Sequence, residues 1–353
     1  MTTPVRQHFT GKGETRNSCR MANMMSRQKK NCLYFLFHIL KLSLEECEDT
    51  PSSLIRYKVS NDKLTEFEIE GNIVVTSSES FLVQVDLLNN TKLCSKMLSI
   101  SYSVRSLWFS ADNIREIESE LLKNQKVSDN LYITSGKIKT IKKHTFKDLE
   151  VSVLGLFNNE IVAIEEEAFV GLPFVSLINL CHNKIQWIHL RSFVDVPELT
   201  LLNLNHNSIS RIEKRFFQFF QQDHLHIDLS VNRIKFVDDE AFAGSRSAAI
   251  DLDLEENRIE LLSFGIFQDR RFNRINLMLN NISKLSSDFF NEHYDVGTLD
   301  LSFNHLNEES LEVLKNWAEK NDVFLKCFAN SGGIKMGICV LLIFVTLVLG
   351  KLV

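Results

Sequence analysis

Residues 201–217 read LLNLNHNSISRIEKRFF, and residues 177–193 read LINLCHNKIQWIHLRSF. Laid one on the other, the two stretches share Leu202 with Ile178, Leu204 with Leu180, Asn207 with Asn183, Ile209 with Ile185, Ile212 with Ile188 and Phe217 with Phe193. The same template recurs along the chain. Its asparagine column is Asn159, Asn183, Asn207, Asn232, Asn257, Asn280 and Asn304, with Asp112 and Gly136 in the equivalent place earlier. Its phenylalanine column is Phe146, Phe169, Phe193, Phe217, Phe242, Phe267 and Phe290. A fixed period of roughly 24 residues marks a stacked solenoid, in which each repeat buries its apolar face against its neighbours.

Physical chemistry gives each column a task. The alternating apolar pair before the asparagine makes a short strand with one buried face. Stacking brings these strands into a parallel sheet. The asparagine amide can both donate to and accept from backbone groups where the strand turns away, so buried polar groups are satisfied as a ladder. The phenylalanine rings fill the opposite, convex side. No single repeat can bury its own core, so the array folds as a unit.

The unit L-x-L-x-x-N-x-I-x-x-I-x-x-x-x-F resembles the leucine-rich repeat superfamily, and its period and phenylalanine spine resemble the extracellular class; LDLSFNHL (Leu299 to Leu306) is close to the family consensus. The resemblance implies an α/β horseshoe solenoid with a parallel sheet on the concave face and an irregular or 3-10 convex side. It covers residues 101–306 closely and 60–100 loosely. It also implies a binding scaffold whose concave face meets another protein. Extracellular members carry cysteine-clustered caps at both ends, and this chain has neither cluster.

The flanks suggest export. Residues 1–31 are basic and lead into CLYFLFHIL (Cys32 to Leu40), the pattern of a secretory signal, so 1–46 is read as a basic n-region and signal peptide. Residues 47–100 are read as an N-terminal cap with irregular first repeats: Phe67, Ile69 and Asn72 fit a first repeat, and Val85 to Leu93 a degenerate second. In 307–330, Leu311, Leu314 and Trp317 recur at helical spacing and predict a helical C-terminal cap. Residues 331–353 end in MGICVLLIFVTLVLG (Met336 to Gly350), a hydrophobic membrane-anchor tail. It is short for a bilayer span and follows small residues, so a glycosyl-phosphatidylinositol anchor and a terminal transmembrane span both stay open. Either would leave the chain without a cytoplasmic part. Asn89 and Asn281 begin acceptor sequons for N-linked glycans. Cys47 and Cys94 could form a disulfide closing the N-terminal cap, or be unrelated thiols.

Between the strand leucines, alternate residues point into the concave face. Four positions before the ladder stand Trp108, Tyr132, Gly155, Asn179, Asn203, Asp228, Asp253, Asn276 and Asp300; two positions before it stand Ser110, Thr134, Phe157, Cys181, Asn205, Ser230, Glu255, Met278 and Ser302. Trp108, Tyr132 and Phe157 would cluster toward the N-terminal half as protein-binding anchors. Asp228, Asp251, Asp253 and Glu255 make an acidic section that would steer a basic partner, with Arg233 and Arg258 partly neutralising it. His182 and His206 stand at one place in consecutive repeats beside Cys181, an incomplete ligand set for a metal.

Net charge is −5, with no basic footprint for nucleic acid. The sequence lacks G-x-S-x-G, H-E-x-x-H, Walker and G-x-G-x-x-G motifs, so no enzyme and no cofactor or metal is expected. The expectation is a cell-surface or extracellular glycoprotein, anchored to a membrane at its C-terminus, that binds a protein ligand or co-receptor in adhesion or recognition. The alternatives are a secreted or matrix structural protein and, without a true signal, an intracellular adaptor.

Overall fold

The computed structural model describes residues 54–61, 63–70, 73–75, 82–87, 92–93, 98–100, 104–110, 112–122, 127–263, 265, 270–285 and 295–328. Its spine is a 13-stranded sheet. The strands are β1 (Leu54–Asn61), β2 (Lys63–Glu70), β3 (Leu82–Leu87), β4 (Val104–Ser110), β5 (Val127–Thr134), β6 (Val153–Gly155), β7 (Leu177–Asn179), β8 (Leu201–Asn203), β9 (His224–Asp228), β10 (Ala249–Asp253), β11 (Arg271–Asn276), β12 (Asp295–Asp300) and β13 (Phe324–Lys326). From β3 onward they are parallel and lie side by side in chain order.

Register follows the repeat. Leu154, Ile178, Leu202, Ile227, Leu252, Ile275 and Leu299 stand opposite one another on successive strands. All are buried. A slip of one residue would turn this whole row outward, so the hydrophobic pattern itself fixes the pairing.

The ladder explains why each strand can end inside the protein. Asn207 Nδ2 donates to the carbonyls of Leu204 (2.9 Å) and Leu180 (3.1 Å), while its Oδ1 accepts the Ile185 N–H at 2.9 Å. Asn183, Asn232, Asn257 and Asn280 repeat this pattern. Each ties its own strand to the preceding turn. The residue before the ladder takes a left-handed backbone, with φ 52° at His182, 51° at His206 and 53° at Val231. That conformation strains a β-branched residue such as Val231. The hydrogen bonds of the neighbouring asparagine hold it in place.

On the convex side, Phe146, Phe169 and Phe193 stack nearly parallel, with centroids 5.3 and 5.0 Å apart; Phe217 and Phe242 stack at 4.4 Å. Phe220 fills the gap between the two stacks, 6.0 Å from Phe193 and 6.1 Å from Phe217. Phe267 and Phe290 lie outside the described residues. The convex side is less irregular than the sequence suggests. Thr140–Ile141, Ala163–Ile164 and Trp187–Ile188 form a narrow parallel sheet, and the backbones at Phe146, Phe169 and Phe193 form another. Stacked Ile141, Ile164 and Ile188, all buried, bring these backbones to ladder spacing.

The ends differ from the repeats. β2 pairs with β1 antiparallel, Tyr57 opposite Phe67, and β1 pairs antiparallel with β3. The Phe67–Glu70 stretch is therefore part of one arm of an antiparallel hairpin at the sheet edge rather than a first repeat, and Asn72 lies outside the described residues. The parallel array begins at β3, where Val83 faces Leu107 and Val85 faces Phe109. At the other end, helix α1 (Glu308–Lys320) starts where the Asn307 side chain accepts the Ser310 N–H at 2.8 Å. It buries Leu314 and Trp317 against the last repeat. Glu308 and Glu309 in its first turn and Lys320 in its last suit the helix dipole.

The candidate concave recognition face

Three side-chain columns cross the sheet. The first is set by the register Asn130, Val153, Leu177, Leu201, His226, Asp251, Arg274, Thr298 and Phe324. The second runs Trp108, Tyr132, Gly155, Asn179, Asn203, Asp228, Asp253, Asn276, Asp300 and Lys326. The third, two residues further on, includes Thr134, Phe157, Cys181, Asn205, Ser230, Glu255 and Met278.

The aromatic residues do come together. Trp108 and Tyr132 have centroids 5.3 Å apart, and Tyr132 meets Phe157 edge to face at 6.2 Å. All three are half-buried. Trp108 Nε1–H donates to Thr134 Oγ1 at 2.9 Å, which orients the indole and buries Thr134 beneath it. Gly155 makes room for Tyr132: a Cβ there would lie 2.3 Å from Tyr132 Cδ1 and 3.2 Å from Phe157 Cε1. The phenol ring thus lies across the bare backbone of the next strand. Glycine is required here by close approach, not by its backbone angles.

From Asn179 onward the second column does structural work that the sequence reading missed. The Oδ1 atoms of Asn179, Asn203, Asp228, Asp253, Asn276 and Asp300 accept the backbone N–H two residues later, at 3.0–3.2 Å. These are Asx caps, and they satisfy an N–H at the point where the strand stops pairing. In β4 and β5, where Trp108 and Tyr132 hold this place, pairing continues two residues further, through Ser110 and Thr134. The signal was present as an Asn or Asp at six consecutive repeats.

The acidic section therefore divides. Asp228 is occupied by Ser230 and by Asn205 Nδ2 (2.8 Å), and Asp253 by the Glu255 N–H and by Asn276. Asp251, in the first column, pairs with His224 at 3.2 Å, and Glu255 Oε2 accepts from Asn276 at 3.0 Å. Among these acids Asp251 has His224 beside it and Arg274 opposite it on the next strand; Arg233 and Arg258 are exposed beyond the turn.

His182 and His206 stack at 4.2 Å with planes 14° apart. The nitrogen lone pairs of stacked rings lie in two nearly parallel planes and do not converge on a shared point, which is poor geometry for chelation. Burial pushes the Cys181 thiol up, so it stays a neutral thiol and not a nucleophilic thiolate. Asn281 is exposed, while Asn89, Cys47, Cys94 and both terminal segments lie outside the described residues. Among the described residues, no helix is long and apolar enough to cross a membrane.

A family model described as leucine rich repeat matches residues 150–209 and, overlapping them, 173–222. No curated protein matches the chain in sequence. Among solved structures, Toll in the Drosophila Toll–Spatzle complex is similar, with TM-score 0.55 and 16% identity over 69% of this chain and 34% of that one. TLR13 from a TLR13–ssRNA13 complex is similar at TM-score 0.57 and 18% identity, over 68% of this chain and 34% of that one. The chain thus spans about a third of the length of these two structures. Human 5T4 aligns over 73% of this chain with TM-score 0.44. With the family match, the parallel strands at the repeat period, the asparagine ladder and the phenylalanine spine, this solenoid is a leucine-rich-repeat array.

Proposed function

We propose that this chain is a cell-surface recognition protein that binds another protein through the N-terminal half of its concave face. The observation that carries the proposal is the Trp108–Tyr132–Phe157 cluster, half-buried, in mutual contact and oriented by Thr134 and Gly155. Aromatic side chains already fixed in position lose little entropy on binding and dominate interface energetics. The Toll structure, solved with Spatzle, supports a protein partner by likeness of fold only. Asp251 and Glu255 set orientation and approach rate toward a basic region of the partner.

The apolar leader and tail support export and membrane anchoring, and an N-linked glycan is assigned to exposed Asn281. Three alanines, Trp108→Ala with Tyr132→Ala and Phe157→Ala, should abolish partner binding while leaving the melting transition in place; unchanged affinity refutes the site. Surface labelling of intact cells before and after phosphatidylinositol-specific phospholipase C reads the location. Release establishes export with a lipid anchor, resistance favours a terminal span, and absence of surface signal refutes the extracellular reading.

A further inference from the structure

Resting on the concave-face reading, we propose that the partner presents an amphipathic α-helix laid along the solenoid axis, with basic residues at the end that meets Asp251 and Glu255. The strip it would occupy extends past the aromatic cluster. Val153, Leu177 and Leu201, half-buried and opposite one another on β6, β7 and β8, form an aliphatic row. The row begins on the same strand and face as Gly155, over which Tyr132 lies. Its neighbours in the same column are His226 and then Asp251.

Spacing decides which backbone fits this row. Adjacent strands lie about 4.8 Å apart, so the three aliphatic residues span about 10 Å. Helical residues at i, i+3 or i+4, and i+7 span about 10.5 Å along their axis. Three same-face residues of an extended segment span about 13 Å and fall out of step by the third strand. A helix therefore delivers one side chain per strand, in the manner of helix-in-groove recognition.

Charge sets the other end. Asp228, Asp251, Asp253 and Glu255 share the columns of β9 and β10 and the turn after them, where Arg274 on β11 is a neighbouring cation, so the band is net negative. Asp251 lies two strands beyond Leu201, about 10 Å, or about seven helical residues. The partner's helix should therefore carry apolar residues at i, i+3 or i+4, and i+7, with Lys or Arg about seven residues beyond the last of them.

The test is a binding selection on the whole chain with three displayed peptide libraries of equal length, one held helical by a scaffold, one extended and one looped. The expected ligands come from the helical library and show that spacing. Leu177→Glu weakens them at least about tenfold. Asp251→Asn with Glu255→Gln weakens them about three- to tenfold, an effect that 1 M salt removes. Trp187→Glu, outside the concave face, leaves them unchanged, and thermal melts confirm that each variant folds. Concave-face ligands drawn only from the extended or looped libraries overturn the helix and leave the recognition face in place. Ligands insensitive both to Leu177→Glu and to the aromatic triple variant, or no ligand from any library, overturn both.

Discussion

At the scale of single residues, two asparagine or aspartate columns hold the array, and they differ in how much each member carries. Removing the ladder amide of Asn207 strands the Ile185 N–H in a buried site, while the Leu180 and Leu204 carbonyls each keep one donor, Asn183 and Asn232 respectively. The orphaned N–H costs about 1–3 kcal/mol, and each carbonyl loses one of its two side-chain donors. Asn207→Ala should therefore lower stability by about 2–3 kcal/mol in urea unfolding; a loss under about 0.5 kcal/mol would contradict the ladder's role. Asn203 caps one N–H at a half-exposed position. Asn203→Ala should cost only about 1 kcal/mol, the usual worth of one hydrogen bond. The ladder was legible because its residue type and period are nearly invariant from Asn159 to Asn304. The Asx column was not, because an Asn or Asp in the exposed place of a strand also satisfies the plain requirement for a polar surface.

Among the elements, the stacked edges add an electrostatic seam across neighbouring repeats. Glu167 accepts from His144 Nε2 at 3.1 Å and pairs with Lys143 and Arg191, each at 3.1 Å. Hydrogen bonds from Lys143 and then His144 hold its carboxyl down at about 2, against an ordinary 4.5. A carboxylate depressed on folding contributes its stability above its unfolded pKa and loses it as pH falls through the folded value. Wild type should therefore exceed Glu167→Gln in stability at pH 6, and the gap should close between about pH 4.5 and pH 2. A gap independent of pH in acid titration of the two proteins would contradict this. The phenylalanine spine predicts its own cost: Phe169→Ala, at the centre of a three-ring stack, should destabilise by about 3–5 kcal/mol. The C-terminal helix was readable from Leu311, Leu314 and Trp317, since an apolar stripe at that spacing has one regular solution. The N-terminal hairpin was not, because Phe67 and Ile69 alternate as a strand would in either pairing direction, and alternation does not say which neighbour the strand takes.

For the whole molecule, the sheet converts a one-dimensional sequence pattern into a surface with two chemistries. Its N-terminal half presents Trp108, Tyr132, Phe157, Val153, Leu177 and Leu201, and its C-terminal half presents carboxylates and amides. The repeat made the location of this surface legible, since counting back from each ladder asparagine names the outward residues. Counting could not reveal that Thr134 is covered by Trp108, that Asp228 and Asp253 are committed to neighbouring groups, or that Gly155 is a platform for a ring. Those facts depend on side-chain placement between repeats. A second exposed apolar set, including Trp187, Phe236 and Leu261, lies outside the concave face and is the natural competitor for a partner. The most direct measurement is photocrosslinking in cells, comparing chains carrying p-benzoylphenylalanine at Phe157 and at Phe236. A covalent protein adduct from position 157 and none from position 236 is the predicted result; an adduct from 236 alone would contradict recognition through the concave face.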